Sequence, residues 1–563
     1  MRPTYSLILF LVALALPAQE KYPQNVFLPP LDIPLILAGS FGELRSDHFH
    51  SGLDLKTQQR EGLPVRSIEE GVVTRIKISH WGYGKALYVA HPNGYTSVYA
   101  HLRKFAPDIE EYVKKVQYAK QSYEVEIFPA YGELKVPKGS LIAYSGNTGG
   151  SSGPHLHFEI RSSLTERPTN PLLYGYKVRD ATNPTLLGLF GYPLSEGAVI
   201  DRSEVMMPLN FTKQADGSFL ADKINAIGTI GFGINGFDRL DMAANRNGLY
   251  RVRQTVNGRV QSEFDFESFS FAQTRYINTF IDYEYLHERG QRIQKCFKEP
   301  YNHLDIYKEL HNNGKIEVVE GHSYDVEIVL SDFAGNETRL LIPVEGKREV
   351  PTKHRDRGET PDLVLADRPN SFDLGVAKVY FPANTFYEDF HIRLQKGKDT
   401  VGIHDDSVAA HRNFTIGFDP SNYPESQRKQ LFIARLDANS RPTHLKTYKR
   451  NGAHTTRTRT LGNFTLLRDS IAPTIVPKNF KEGQVLNNFS FLSLTIADDL
   501  SGIADYRATL NGEWILMEYE PKTNTITYNF DDKIQNATQC DLEVTVTDNV
   551  GNSSRYELTF FRK

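Results

Sequence analysis

The sequence predicts a mainly β protein: an N-terminal antiparallel β-sheet domain with a helical insertion, followed by several β-sandwich modules. Three observations carry that expectation. From Gly39 onward, short apolar runs alternate with Gly, Pro and Asn turn signals. Between Leu102 and Val136 the apolar spacing changes to that of a helix. Finally, a strand, a tight Gly-Asn turn and a return strand occur twice, in Tyr324-Asp-Val-Glu-Ile-Val-Leu-Ser-Asp-Phe-Ala-Gly-Asn-Glu-Thr-Arg339 and in Cys540-Asp-Leu-Glu-Val-Thr-Val-Thr-Asp-Asn-Val-Gly-Asn-Ser-Ser-Arg555. Such a repeat is expected of a duplicated sandwich unit.

The elements follow in chain order. Residues 1–19 read as a secretory signal peptide: Arg2 precedes ten apolar residues, Leu7 to Leu16, and then Pro17-Ala-Gln-Glu20. That run is too short to span a bilayer, which needs about 20 residues, and no cysteine near the cleavage region offers a lipid anchor. An exported protein with no stable membrane span in the mature chain is expected, whether periplasmic, envelope-associated or extracellular. Residues 20–38, with Pro23, Pro29, Pro30 and Pro34, form an arm. The first domain runs over 39–180. It has strands at 71–78, 86–90 and 95–101, the last two joined by an Asn93-Gly94 hairpin turn. Its helical insertion, about 105–135, places Ile109, Tyr112, Val113, Val116 and Ala119 on one face, with acids early and lysines late as the helix dipole favours. A sandwich-like module is expected at 190–346, a linker at 347–370, a β module at 371–468 and an immunoglobulin-like sandwich at 470–563. A looser match, Tyr250 to Gly258 against Tyr506 to Gly512, precedes each copy of the repeat.

Composition excludes some functions. Lys+Arg total 65 against Asp+Glu 68, a net charge of −3, which leaves no basic field to hold nucleic acid. The two cysteines, Cys296 and Cys540, fall in different modules and read as buried free thiols, so no disulfide framework is present.

Chemistry concentrates in the glycine-rich run Ser145-Gly-Asn-Thr-Gly-Gly-Ser-Ser-Gly-Pro-His-Leu-His-Phe-Glu-Ile160. On a strand, alternation sends Leu156, Phe158 and Ile160 to one face and His155, His157 and Glu159 to the other. One imidazole of such a pair serves as a metal ligand while the other reaches the substrate or an attacking water. His50-Ser-Gly-Leu-Asp54 supplies two more ligand types. On a straight strand they would lie roughly 13 Å apart, so the segment must bend, and Gly52 permits unusual backbone angles. His50, Asp54 and His157 then give three protein ligands and leave a fourth position free, as a catalytic zinc site requires. Tyr99-Ala-His101-Leu102 adds a histidine that is not needed as a ligand.

These residues resemble the signature of the lysostaphin-type (LytM-like) zinc metallopeptidases, a family of peptidoglycan endopeptidases. The resemblance covers roughly 39–175 and includes Phe41-Gly-Glu-x-Arg45, Gly82-Tyr-Gly84, His91-Pro-Asn-Gly94 and Gly146-Asn-Thr-Gly149. It implies one catalytic zinc ion on His50, Asp54 and His157, with His101 and His155 flanking the attacking water and the scissile carbonyl. It further implies a peptidoglycan peptide as substrate. Zinc would bring the water's pKa near 7 and polarise the carbonyl. His155 is assigned as the base and His101 as the oxyanion donor, two roles that could be exchanged. Glu159 is a candidate acceptor fixing an imidazole. Arg45 reads either as a substrate-carboxylate ligand or as a surface ion pair, and His48 as a weaker rival to His50. His80 and His91 read as structural. His287-Glu-Arg-Gly-Gln291 lacks the second histidine of a helical zinc motif and reads as surface.

Two alternatives stay open. One is a zinc-binding, non-catalytic envelope factor that binds wall or activates another hydrolase. The other is a metallopeptidase acting on proteins. The C-terminal β modules are candidates for contact with a protein partner.

Overall fold

The computed structural model describes residues 21–356, 358–530 and 538–562, so the expected signal peptide lies outside the described residues. Period-two sequences build the first module. The chain forms β1 (Leu37–Gly39), β2 (Leu53–Lys56), β3 (Pro64–Arg66), β4 (Gly71–Ile78), β5 (Lys85–Ala90), β6 (Tyr95–Ala100) and β7 (Lys104–Phe105). Helix α1 (Pro107–Lys120) follows, then β8 (Val125–Ile127), β9 (Lys135–Val136), β10 (Leu141–Tyr144), β11 (His155–Ser162) and β12 (Pro168–Thr169). Nine strands make one antiparallel sheet in the order β1-β2-β11-β6-β5-β4-β8, with β12 on β11 and β9 on β4, while β3-β10-β7 form a second sheet. The central strand β11 lies between β2 and β6 with His157 opposite Asp54 on one side and Ala100 on the other. Leu156, Phe158 and Ile160 point from it into the core.

Helix α1 replaces the sheet pattern because Ile109, Val113 and Gln117 recur at four-residue spacing and are buried. Glu110 Oε2 accepts the Phe105 backbone N–H at 2.8 Å just before the helix, and Gln121 ends it in the left-handed region. The proline-rich arm is a strap: Phe27 and Leu31 are buried in the same core, and Leu31 bridges to Val65.

The second module is built on a 13-stranded sheet that includes Thr185–Pro193, Ile224–Phe237, Arg251–Val256 and the hairpin Ser323–Ser331/Glu337–Gly346. Its core is continuous with that of the first module. The contact is aromatic and falls on the loop that carries His50. The ring of Phe49 lies 5.3 Å from Phe266 and 6.0 Å from Phe280, and Phe41 lies 5.1 Å from Phe269. The Phe49 N–H donates to Thr274 Oγ1 at 2.9 Å. Phe266→Ala is therefore expected to cost about 3–5 kcal/mol and to weaken metal retention at His50 as well. Thermal melts and a competitive chelator titration would check this, and a variant that melts lower but holds metal as tightly would refute the coupling.

Two five-stranded sheets enclose the third core, which runs from Val364 to Leu466. Two four-stranded sheets enclose the fourth, which runs from Phe480 to Phe560. The repeat read in the sequence is structural: strands Arg251–Val256 and Ile503–Leu510 each pair with the first strand of their Gly-Asn hairpin. The chain then folds back. Trp514 packs on Tyr118 of α1 at 5.2 Å, and buried Lys85 pairs with Glu518 at 2.8 Å. Lys522 Nζ donates to the carbonyls of Asn147 and Ser151 in the glycine-rich turn. Cys296 and Cys540 are both buried, and no disulfide joins them. Among the described residues no helix is long and apolar enough to cross a membrane.

Candidate metal centre

Register and one bend assemble the site. His50 leaves a tight loop closed by paired bonds, Gly42 N to His50 O and His50 N to Glu43 O, each 2.9 Å. The chain bends at Gly52 before β2 begins, and His50 Nε2 comes 3.0 Å from Asp54 Oδ1. The bend is as expected, but the reason for the glycine differs. Gly52 is not among the residues of positive φ. A Cβ there would instead lie 2.4 Å from the Phe158 carbonyl oxygen and 2.8 Å from Glu159 Cγ on β11. Close approach of two strands, not backbone freedom, demands it.

His157 Nδ1 lies 2.9 Å from Asp54 Oδ1 and 3.0 Å from His50 Nε2. One atom from each of His50, Asp54 and His157 thus falls within metal-sharing distance. The outer partners fix the imidazoles. His50 Nδ1 faces the Ser40 carbonyl at 2.7 Å, which can only accept, and His157 Nε2 faces Glu159 Oε1 at 2.8 Å. Each neutral ring therefore commits its proton outward and turns a lone pair inward. Two lone pairs and a carboxylate oxygen at these separations require a cation between them, a proton or a metal. In the metal-free chain the proton serves: burial opposes charge on His157, but Asp54 and Glu159 push it up to about 9. Burial likewise opposes charge on Asp54, yet His50 and the hydrogen bonds from His155, His157 and His50 hold it well below the usual carboxylate range. Asp54 Oδ2 is taken by Arg45 Nη2 at 3.0 Å, so Arg45 holds a candidate ligand. Two imidazole nitrogens and one carboxylate oxygen suit zinc.

His155 lies across the site, its Nε2 3.4 Å from Asp54 Oδ1 and its Nδ1 2.8 Å from the Gly153 carbonyl. His101 follows β6 rather than ending it as expected, because its φ of 57° breaks the strand. Its Nδ1 donates to the Thr148 carbonyl at 2.8 Å, and its ring lies 4.7 Å from that of His155. Burial first, then His157 and His155, push His101 down to about 3. Gly149, at φ 72°, lets the glycine-rich turn that carries Thr148 pack against Gly84.

Beneath the ligands lies a buried polar layer that sequence reasoning named only in part. Glu159 is fully buried. Besides His157 it accepts Ser51 Oγ at 2.8 Å, the Tyr83 hydroxyl, and Arg161 Nε at 2.5 Å. Burial opposes its charge, but Arg161 and His157 hold it far below the usual range. Arg161 carried a usable signal, since it continues the alternation of His155, His157 and Glu159, and Tyr83 stands in the Gly82-Tyr-Gly84 motif; neither signal told that the side chain reaches Glu159. The other histidines stand apart. His48 is exposed and pairs with Asp47. His80 stacks on Tyr123, His91 is buried against the Glu70 carbonyl and Ser97, and His287 is exposed.

Residues 48–122 match the model of Peptidase family M23, and 362–469 match a Zu5-like domain. The chain is 33% identical over 129 residues to the DD-carboxypeptidase/endopeptidase Mpg of Neisseria meningitidis, covering 23% of each protein. It is 32% identical over 123 residues to the peptidoglycan DD-endopeptidase ShyA of Vibrio cholerae, covering 22% of each. Among solved structures, the catalytic domain of lysostaphin from Staphylococcus simulans is 24% identical, covering 24% of this chain and 86% of that one at a TM-score of 0.18. The chain thus matches under a quarter of the length of these curated relatives. The resemblance of the first module to lysostaphin-type metallopeptidases holds.

Proposed function

We propose that residues 39–180 form a zinc endopeptidase that hydrolyses the peptide cross-links of peptidoglycan, and that the protein is exported and works in the cell envelope. The observation that carries this reading is the inward convergence of His50 Nε2, Asp54 Oδ1 and His157 Nδ1 with both imidazole protons committed outward. The sequence likeness to peptidases that act on peptidoglycan supports the substrate. A zinc ion held by these residues supplies Lewis-acid chemistry, acidifying water and polarising a peptide carbonyl. The chain's own part is proton handling. His155, bound at Nδ1 to the Gly153 carbonyl, holds its Nε2 3.4 Å from Asp54 Oδ1, where it takes a proton and returns it to the leaving amine. His101 has the same tautomer and is held neutral, so it orients the water as an acceptor; the donor role expected from sequence would need its imidazolium form.

Muropeptide analysis of sacculi digested by the zinc-loaded chain tests the reading. Monomers should appear from cross-linked dimers and disappear with chelation. His155→Ala should lose at least about 10²-fold in rate, and more than His101→Ala loses. Intact sacculi with stoichiometric zinc would favour the non-catalytic alternative. One feature leans that way, the reach of Lys522 onto the glycine-rich turn, and Lys522→Ala distinguishes the two by releasing activity or not.

A further inference from the structure

Where the chain leaves the first module, three carboxylates meet. We propose that Asp180, Asp238 and Asp332 form a binding site for a hard divalent cation of the calcium class, which ties the segment after Tyr176 to the second module. One oxygen from each lies within 4.8 Å of the others. Oxygens about 2.3–2.6 Å from one ion lie at most about 5 Å apart, so a single calcium can take all three. Asp238 is 4% exposed and Asp332 is 3% exposed. Asp238 Oδ1 is buried with no hydrogen-bond partner among the described residues. Its bridge partner Asn247 is buried with both side-chain polar atoms equally unserved. No lysine, arginine or histidine nitrogen among the described residues pairs with the triad; Arg179, one residue away, pairs with Asp241 instead. Burial and mutual repulsion raise Asp238 to about 7 and Asp180 to about 6, the mark of negative charge without compensation.

The constellation belongs to the repeat, not to chance. Asp180 stands five residues before the first strand of its module in Asp180-x-x-x-Pro184-Thr185, and Asp469 stands likewise in Asp469-x-x-x-Pro473-Thr474. Asp238 and Asp498 each follow the strand that pairs with that first strand, in the registers Thr185↔Phe237 and Thr474↔Ala497. Asp332 and Asp548 open the two Gly-Asn turns, where each accepts the backbone N–H groups of its turn. The second triad also brings three carboxylate oxygens together, but there Lys449 of the third module lies within the field of Asp548. Asp180 and Asp238 of the first triad instead line a cavity of about 390 Å³ that reaches Lys177, Ser40, Phe41 and Tyr250. Carboxylate-only ligation favours calcium or magnesium over zinc, and a water-accessible cavity supplies the remaining ligands that calcium's higher coordination number demands.

The test is calorimetric titration of the chelator-stripped full chain with CaCl₂, paired with thermal melts. Terbium is a second probe, sensitised by Tyr250 at the cavity. One calcium should bind and raise the melting temperature with concentration. Asp238→Asn should weaken binding at least tenfold yet leave the calcium-free chain no less stable, because it removes repulsion and no hydrogen bond to a side chain. Asp180→Asn, on a half-buried residue, should lose binding in the same way. His157→Ala should bind calcium as the wild type does, which separates this site from the histidine cluster. No heat and no melting shift up to about 10 mM calcium, ten times the weak range of extracellular sites, would overturn the proposal. So would calcium binding by both aspartate variants within twofold of wild type.

Discussion

His157→Ala should abolish stoichiometric zinc binding and reduce cross-link cleavage by at least about 10³-fold, the several kcal/mol a Lewis acid supplies to the transition state. The variant removes one inward nitrogen, while Asp54 keeps Arg45 and Glu159 keeps Arg161. Metal analysis after gel filtration and a muropeptide time course would check both losses, and a variant that still holds one zinc would refute the ligand assignment. The metal-free wild type offers a further readout. With His157 raised to about 9 in the fold, its imidazolium stabilises the chain fully below its unfolded pKa of about 6.5 and ceases to do so as pH rises through 9. Chelated wild type should therefore exceed chelated His157→Ala by something on the order of 3 kcal/mol in mild acid, with the gap closing in alkali. A gap that widens with pH would reverse the sign and sink the argument.

Arg161→Met should cost about 3–5 kcal/mol, as expected when one member of a buried ion pair is removed and the other is stranded. Glu159 has no access to water, and its Oε2 depends on Arg161 Nε at 2.5 Å. The guanidinium also lies 4.6 Å over the Phe271 ring, so methionine keeps part of the packing while losing the charge. Zinc affinity should fall roughly 10–100-fold, because a protonated Glu159 orients His157 less strongly. The double variant Arg161→Met with Glu159→Gln is the decisive partner: it strands no charge and should recover most of the lost stability. Equal melting of the single and double variants would show that packing, not charge, explains the loss.

The residues most legible in the sequence were those whose chemistry is local. His50 with Asp54, and the His155-x-His157-x-Glu159 alternation, announce themselves by residue type and spacing, and β11 places them as alternation requires. The four-residue spacing of Ile109 and Val113 located α1. Illegible were contacts whose partners lie far along the chain. Nothing near Phe49 signals Phe266 or Phe280, and nothing near Tyr118 signals Trp514. Gly52 was located correctly and explained wrongly, because a sequence shows that a side chain is missing but not which neighbour needs the space. The acidic triad escaped for a similar reason: its members are spread along the chain and converge only through strand register.

The aromatic brace on the His50 loop also sets a clock. A chain is made from its N-terminus, and the sheet bearing His157 is complete long before Phe266, Phe280 and Trp514 leave the ribosome. Until they arrive, the loop that carries His50 lacks its aromatic wall, and Lys85 lacks its 2.8 Å partner Glu518. The His50 loop is thus braced later than the sheet it serves, because its aromatic wall is made after that sheet.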